Sequence, residues 1–419
     1  MSTWLQIQCR SITWARDDPL IGGDLRQRVL AVFGTRPEAI KMAPLIRMII
    51  EKGRYDVAVA LTGQHKTMLD QMIQGFELPV DYNLDIFSPG QSPAAIAAKT
   101  LLRLDPLLET EPPAAVMVQG DTTSALAAGL AAFYHRVPVI HVEAGLRTDN
   151  LFNPFPEEAN RRALSQIGSL HLAPTANAKA NVLADGIDPT KINVTGNTVI
   201  DALALALQTD LPIQEPTVAR LLASDQRLIL VTSHRRESWG EPMRRIAQGL
   251  AHLATDEPDT QFVLPLHANP TVREAFQVLA GLPNVALLEP LGYFDLAKVI
   301  AAATLVITDS GGIQEEAPSL GKPVLVLRDN TERPEGVASG TARLVGTDPQ
   351  VIYTQARRLL DDPIAYDAMA QAVNPYGDGL AAQRSEAAIA HFLELGAPLP
   401  EFDPGTPLAA PGSRTVPGR

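Results

Sequence analysis

From Val29 onward the chain alternates short apolar runs with longer amphipathic stretches. Val29–Phe33, Val57–Leu61, Ala115–Val118 and Val137–Val142 read as buried parallel strands. Between and after them, Pro37–Lys52, Lys66–Gly75, Pro93–Leu108 and Thr123–Tyr134 predict helices, and Leu170–Ala173 and Ile192–Val194 add two further strands. A proline-bearing link, Gln208–Thr217, follows, and the same alternation begins again with Leu228–Thr232, Phe262–Leu266, Val285–Leu288 and Val306–Thr308. Repeated strand–helix units predict a parallel sheet with helices on both faces. The expected fold class is therefore α/β, with two sheets of one type facing each other across the link. Helices are predicted over Asp348–Leu360 and Ile364–Val373, with a last one near Ala381–Leu393.

The two ends of the chain lack this pattern. Residues 1–27 read as an N-terminal extension, and residues 396–419, rich in proline and glycine, as a disordered tail. The first domain is placed at 28–202 and the second at 203–379.

Sheets of this kind bind ligands beyond the carboxyl ends of their strands, so the polar residues at those ends carry the chemistry. Gly34–Glu38 follows the first strand, Gln119–Thr123 follows Val118, and Glu143–Thr148 follows Val142. This brings Asp121 and Glu143 to one rim. Each also has a structural reading: Asp121 suits a cap for the helix beginning beside Thr122, and Glu143 a pairing with Arg147. Glu157 and Arg161, four apart on one helix, make either a surface ion pair or a further acid with its own arginine. On the second rim His234 ends its strand ahead of Arg235 and Arg236, which suits phosphate binding or proton transfer. His267 precedes Asn269-Pro270 and equally suits a helix start.

The clearest anion signature is Ser310-Gly311-Gly312, between a strand and the helix Ile313–Leu320. Two adjacent glycines let the backbone approach a ligand, and a helix start offers unpaired N–H groups. Glu316, one turn on, suits a sugar diol, so phosphate and diol together suggest a nucleotide. The glycines alone also serve a plain strand-to-helix turn.

Composition narrows the setting. A net charge of -12 argues against a broad nucleic-acid surface. The single cysteine, Cys9, excludes an internal disulfide and a cysteine-rich metal site, and suits a reducing cytoplasm. No apolar run reaches the roughly 18 to 20 residues of a membrane span, so no membrane contact is expected.

Nine motifs now stand in one order: GTRPEAIK (Gly34 to Lys41), QGDT (Gln119 to Thr122), HVEAGLRT (His141 to Thr148), PEEANR (Pro156 to Arg161), TGNTVIDAL (Thr195 to Leu203), SHRRES (Ser233 to Ser238), SGGIQEEAPSLGKPVL (Ser310 to Leu325), TERPE (Thr331 to Glu335) and NPYGDG (Asn374 to Gly379). Together they resemble the non-hydrolysing UDP-N-acetylglucosamine 2-epimerases over residues 28–395. The resemblance implies a glycosyltransferase-B-like fold in which two Rossmann-like domains face each other across a cleft and the last helix, 380–395, crosses back to the first domain. It implies interconversion of UDP-N-acetylglucosamine and UDP-N-acetylmannosamine, without a cofactor or metal, through elimination of UDP to a 2-acetamidoglucal. A cytoplasmic homodimer serving cell-surface polysaccharide synthesis is expected.

Position by position, Asp121, Glu143, Glu157 and His234 match the family's catalytic residues. Arg36, Lys41, Arg161, Ser310, Gly311, Gly312, Glu316 and Arg333 match its UDP-sugar contacts. The expected division of labour sets Asp121 and Glu143 near C2, Glu157 in support with Arg161, and His234 at the diphosphate. Many relatives resemble one another in binding a second, activating UDP-N-acetylglucosamine, at positions matching Gln64 and His267 here. Thr67 and Gly90 depart from that pattern, where glutamine and arginine stand in regulated members. Leu380 replaces a residue that is often lysine. The same fold serves glycosyltransferases, so a UDP-sugar transferase, a nucleotide-sugar sensor, or an epimerase of another UDP-2-acetamido sugar are the alternatives.

Overall fold

The computed structural model describes residues 26–63, 66–88, 90–148 and 150–405. Among them, seven strands form a first sheet: β1 (Arg28–Phe33), β2 (Asp56–Leu61), β3 (Tyr82–Asn83), β4 (Ala115–Gln119), β5 (Val139–Val142), β6 (Leu170–Ala173) and β7 (Ile192–Val194). Six form a second: β8 (Arg227–Thr232), β9 (Thr260–Pro265), β10 (Val285–Leu288), β11 (Leu305–Thr308), β12 (Val324–Val326) and β13 (Ala342–Leu344). Their orders are β3-β2-β1-β4-β5-β6-β7 and β10-β9-β8-β11-β12-β13, and every pair is parallel. Both sheets therefore reverse their winding once, between β1 and β4 and between β8 and β11. A crevice opens at each such switch point, outside the strand ends.

Burial explains why these segments are strands. β4 is buried at every position and β1 at all but Arg28, as expected where helices cover both faces. Alternate residues feed separate cores: Val29, Ala31 and Phe33 join one cluster, and Leu30 and Val32 the other. Fully burying a side chain of this size is worth about 1.5–3 kcal/mol, and a one-residue slip would send each set into the core shaped for the other.

The expected boundary after residue 202 falls inside the helix Thr198–Gln208, which packs on the helix Arg36–Lys52. Regular structure lapses over residues 209–215, and a short helix, Pro216–Leu222, then leads to β8 of the second sheet. The last helix, Ala381–Phe392, returns to pack on Arg36–Lys52 and Thr198–Gln208. Asp201 holds its start, accepting the N–H of Ala382 at 2.9 Å. Burial pushes the Asp201 carboxyl up to about 6.

The tail corrects the sequence expectation up to Gly405. Phe402 is 5% exposed, donates its N–H to the Val194 carbonyl at 2.8 Å, and lies under the Arg384 guanidinium. Glu401 accepts the N–H of Val194 and pairs with Lys179. One aromatic anchor and one edge pairing order a stretch whose composition predicts none. Residues 406–419 and 1–25, with Cys9, lie outside the described residues. Among the described residues no helix is long and apolar enough to cross a membrane.

Candidate active site

Loops from both sheets wall one cavity. On the first sheet, Thr35 caps the helix Arg36–Lys52 in a capping box with Glu38, whose carboxylate also accepts the Gly34 N–H at 2.9 Å and the Thr122 hydroxyl at 2.7 Å. Glu38 is buried, so these bonds fasten the loop after β1 to the loop after β4. Thr35-x-x-Glu38 is legible as a capping box, and sequence reasoning passed over it.

Thr122, not Asp121, caps the following helix. Asp121 instead meets Nη2 of Arg161 at 2.5 Å. Burial raises its carboxyl above the ordinary range, against the pull of Arg161 and with help from the charge of Glu143. Arg161 also pairs with Glu158 at 3.2 Å, and Glu158 is fully buried. This corrects the expected Glu157–Arg161 pair. Neighbouring residues on a helix point about 100° apart, so Glu158 turns inward with Arg161 while Glu157 faces the cleft, where no ion pair engages it among the described residues.

Glu143 has φ +61°, a left-handed conformation that costs a side-chain-bearing residue energy and clusters at functional sites. Its carboxylate accepts from Lys41, from Gln119 and, at 3.2 Å, from Asn197. Burial alone would raise its carboxyl; Lys41 overrides this and holds it below the usual range. Arg147, the alternative partner considered from sequence, goes to Asp185 at 2.6 Å.

Two residues that sequence reasoning missed join the rims. Asn197 donates to Glu143 on the first rim and, at 3.0 Å, to Glu315 on the second. Glu315 is buried and holds Arg333. Burial works against the charges of Lys41 and Arg333, yet the facing carboxylates raise both groups above their ordinary values. Only the Glu-Glu pair in SGGIQEEAPS hinted at Glu315.

A cavity of about 1060 Å³ lies between the rims, walled by Lys41, Asp121, Glu143, Glu157, Arg161 and Arg333. His234 and His267 line an adjoining cavity of about 460 Å³, which shares Arg235 and Glu237 with the first. The two rings lie 6.5 Å apart at 21°. The remaining candidates, Arg36, Ser310, Gly311, Gly312 and Glu316, lie outside both walls. A side chain at Gly311 would come within 3.6 Å of the Arg235 guanidinium and 3.8 Å of that of Arg333, so two cations stand over the start of the helix Gly311–Glu316. Glu316 is buried, with one oxygen accepting the Tyr293 hydroxyl at 3.1 Å and the other facing Gly312. Burial pushes its carboxyl up to about 7, opposed by Tyr293, Lys41 and Arg36 and assisted by Glu315. Gln64 lies outside the described residues.

Comparison with known proteins bears on the family. The family model described as UDP-N-acetylglucosamine 2-epimerase matches residues 47–390. The UDP-N-acetylglucosamine 2-epimerase of Yersinia pestis is 49% identical over 365 residues, covering 85% of this chain and 96% of that protein. The Escherichia coli K12 enzyme of the same name is 48% identical over 364 residues, with the same coverage. Among solved structures, the Neisseria meningitidis UDP-GlcNAc 2-epimerase bound to UDP-GlcNAc has a TM-score of 0.77 at 46% identity, covering 88% of this chain and 99% of its own. The chain belongs to the UDP-N-acetylglucosamine 2-epimerase family.

Proposed function

We propose that the protein interconverts UDP-N-acetylglucosamine and UDP-N-acetylmannosamine by eliminating UDP and adding it back. One carboxylate takes the C2 proton, the C–H electron pair becomes the C1–C2 double bond of a 2-acetamidoglucal, and the C1–O bond breaks with its electrons leaving on UDP. In the return step a diphosphate oxygen bonds to C1 while a proton reaches C2 from the other face. Two acid–base groups are required, because one group reaches only one face.

The observation that carries this reading is the opposite displacement of two neighbouring acids on one rim. Lys41 keeps Glu143 ionised, and burial makes Asp121 the readier holder of a proton. Environments that push two carboxyls apart assign one as base and the other as acid. In the reverse direction the two exchange roles. Glu157 faces the same cavity as a third polar wall. His234, Arg235, Arg333 and the glycine turn at 311–312 supply donors where negative charge grows on the departing UDP. Lys41 and Arg161 are assigned to the substrate as well as to the acids they hold, Arg36 and Ser310 to the diphosphate, and Glu316 to the ribose.

Purified protein given UDP-N-acetylglucosamine alone, without acceptor or added cofactor, is expected to yield the manno epimer by NMR. A transferase would leave the sugar unchanged until an acceptor is supplied. Failure to epimerise any UDP-linked N-acetylhexosamine overturns the proposal.

The Glu316 assignment makes a pH prediction. Ribose hydroxyls donate best to an ionised carboxylate, and this one ionises near 7. UDP affinity should therefore weaken as pH falls from 8 to 5. Glu316→Gln removes the titration but leaves that of the nucleotide, so its affinity should change less over the same range. In the free protein the sign is reversed: the raised carboxyl favours the fold below about 4.5, and that contribution is lost as pH rises through about 7. Glu316→Ala should cost about 1–3 kcal/mol of UDP binding by calorimetry. The same pH dependence in wild type and Glu316→Gln would return Glu316 to a structural role with Tyr293.

A further inference from the structure

Asp309 closes β11 with a fully buried side chain. Its Oδ2 accepts the N–H groups of His234 at 2.7 Å and Arg235 at 2.9 Å and the Ser233 hydroxyl at 3.1 Å. Three donors on one oxygen pin the loop after β8 to the neighbouring strand end. Oδ1 has a different neighbour. No hydrogen bond of good angle reaches it, and Nδ1 of His234 lies 3.1 Å away. Leaving a buried carboxylate oxygen bare is costly. The imidazole, 43% exposed, has room to turn onto it.

The remaining neighbours of His234 do not compete for Nδ1. Trp239 donates to the His234 carbonyl at 3.3 Å, and the His267 ring stacks on its face. Arg235 and Arg236 are donors only, and Glu237 is drawn to Arg328 at 3.0 Å. Burial would raise the Asp309 carboxyl, but His234 and the two backbone donors hold it below the ordinary range, so it is ionised and can only accept.

We propose that Asp309 is a positioning residue of this active site, fixing the proton of His234 on Nδ1 and presenting Nε2 to the cavity where the diphosphate leaves. Nε2 then carries a proton only in the imidazolium form, whose charge the buried carboxylate balances. The donor offered to the diphosphate is thus a charged one. This deepens the proposed function and rests on it for the identity of the anion; the protonation of His234 in the free protein does not.

The test is ¹⁵N NMR of histidine-labelled protein, with the His234 signals assigned by their loss in His234→Gln. Wild type is expected to be protonated at Nδ1 at every pH where the ring is neutral, and to become imidazolium on adding UDP. Asp309→Asn keeps an oxygen for the three donors but turns an NH₂ group toward the ring, so the neutral proton should move to Nε2. UDP affinity should then fall about 10- to 100-fold, the loss expected for one charge-assisted contact. A neutral wild-type ring protonated on Nε2 overturns the proposal whether or not the variant folds. An unchanged tautomer in a folded Asp309→Asn does so as well. Absent epimerase activity would refute the proposed function while leaving the tautomer result standing.

Discussion

Glu143→Gln and Asp121→Asn should each lose roughly 10²- to 10⁴-fold in turnover, the usual contribution of a positioned acid or base. Both replacements keep the shape and remove the titration. Glu143→Gln retains an oxygen for Lys41 and Asn197 and turns its NH₂ group to Gln119, whose own amide can flip to accept it. Asp121→Asn retains an acceptor for Arg161. UDP affinity, which neither acid is assigned to carry, should stay within a few-fold of wild type. A loss shared equally between affinity and turnover would mean that the rims, not the proton, had been disturbed. The Asp121 variant carries a further signature: the raised carboxyl of the wild type sets a limb in its pH–rate profile, and Asn should abolish that limb.

Arg161→Met should cost about 3–5 kcal/mol of folding stability, the range for removing one partner from a buried ion pair. Arg161 is 8% exposed and lies between Asp121 and Glu158, so its loss takes a partner from two carboxylates. Glu158 keeps Arg162 at 2.7 Å and the Thr148 N–H at 3.0 Å; Asp121 keeps no side-chain ion pair among the described residues. Its carboxyl should rise further, and the variant should recover stability as pH falls and Asp121 is protonated. Chemical denaturation at pH 7 and pH 5 measures both effects. An Arg161→Met protein as stable as wild type at pH 7 would show that the arginine is held by its packing alone.

The strand skeleton was legible because the central strands are buried on both faces and therefore apolar along their length, whereas the two-residue edge strand Tyr82–Asn83 carries no such run and was missed. Leu170–Ala173, Ile192–Val194 and Val285–Leu288 have the same limits in sequence and structure. The acids of the first rim were legible for a related reason, as polar residues ending apolar runs. Which partner each charge takes was not. Spacing along a helix cannot tell Glu157 from Glu158 as the mate of Arg161, because that depends on which face the core covers. Asn197, Glu315 and Asp309 act across gaps of tens of residues, and nothing local marks them. Phe402 is hidden by its surroundings: one buried aromatic among prolines and acids gives no periodicity, yet it anchors the tail.

Incubation with UDP-N-acetylglucosamine in heavy water tests most directly the claim that the first rim moves the C2 proton. Wild type should place deuterium at C2 of both the starting sugar and the manno epimer, with the anomeric hydrogen retained. Glu143→Gln and Asp121→Asn should slow that exchange by the same roughly 10²- to 10⁴-fold as turnover. Epimer formed without deuterium at C2, or exchange at the wild-type rate in both variants, would contradict the account.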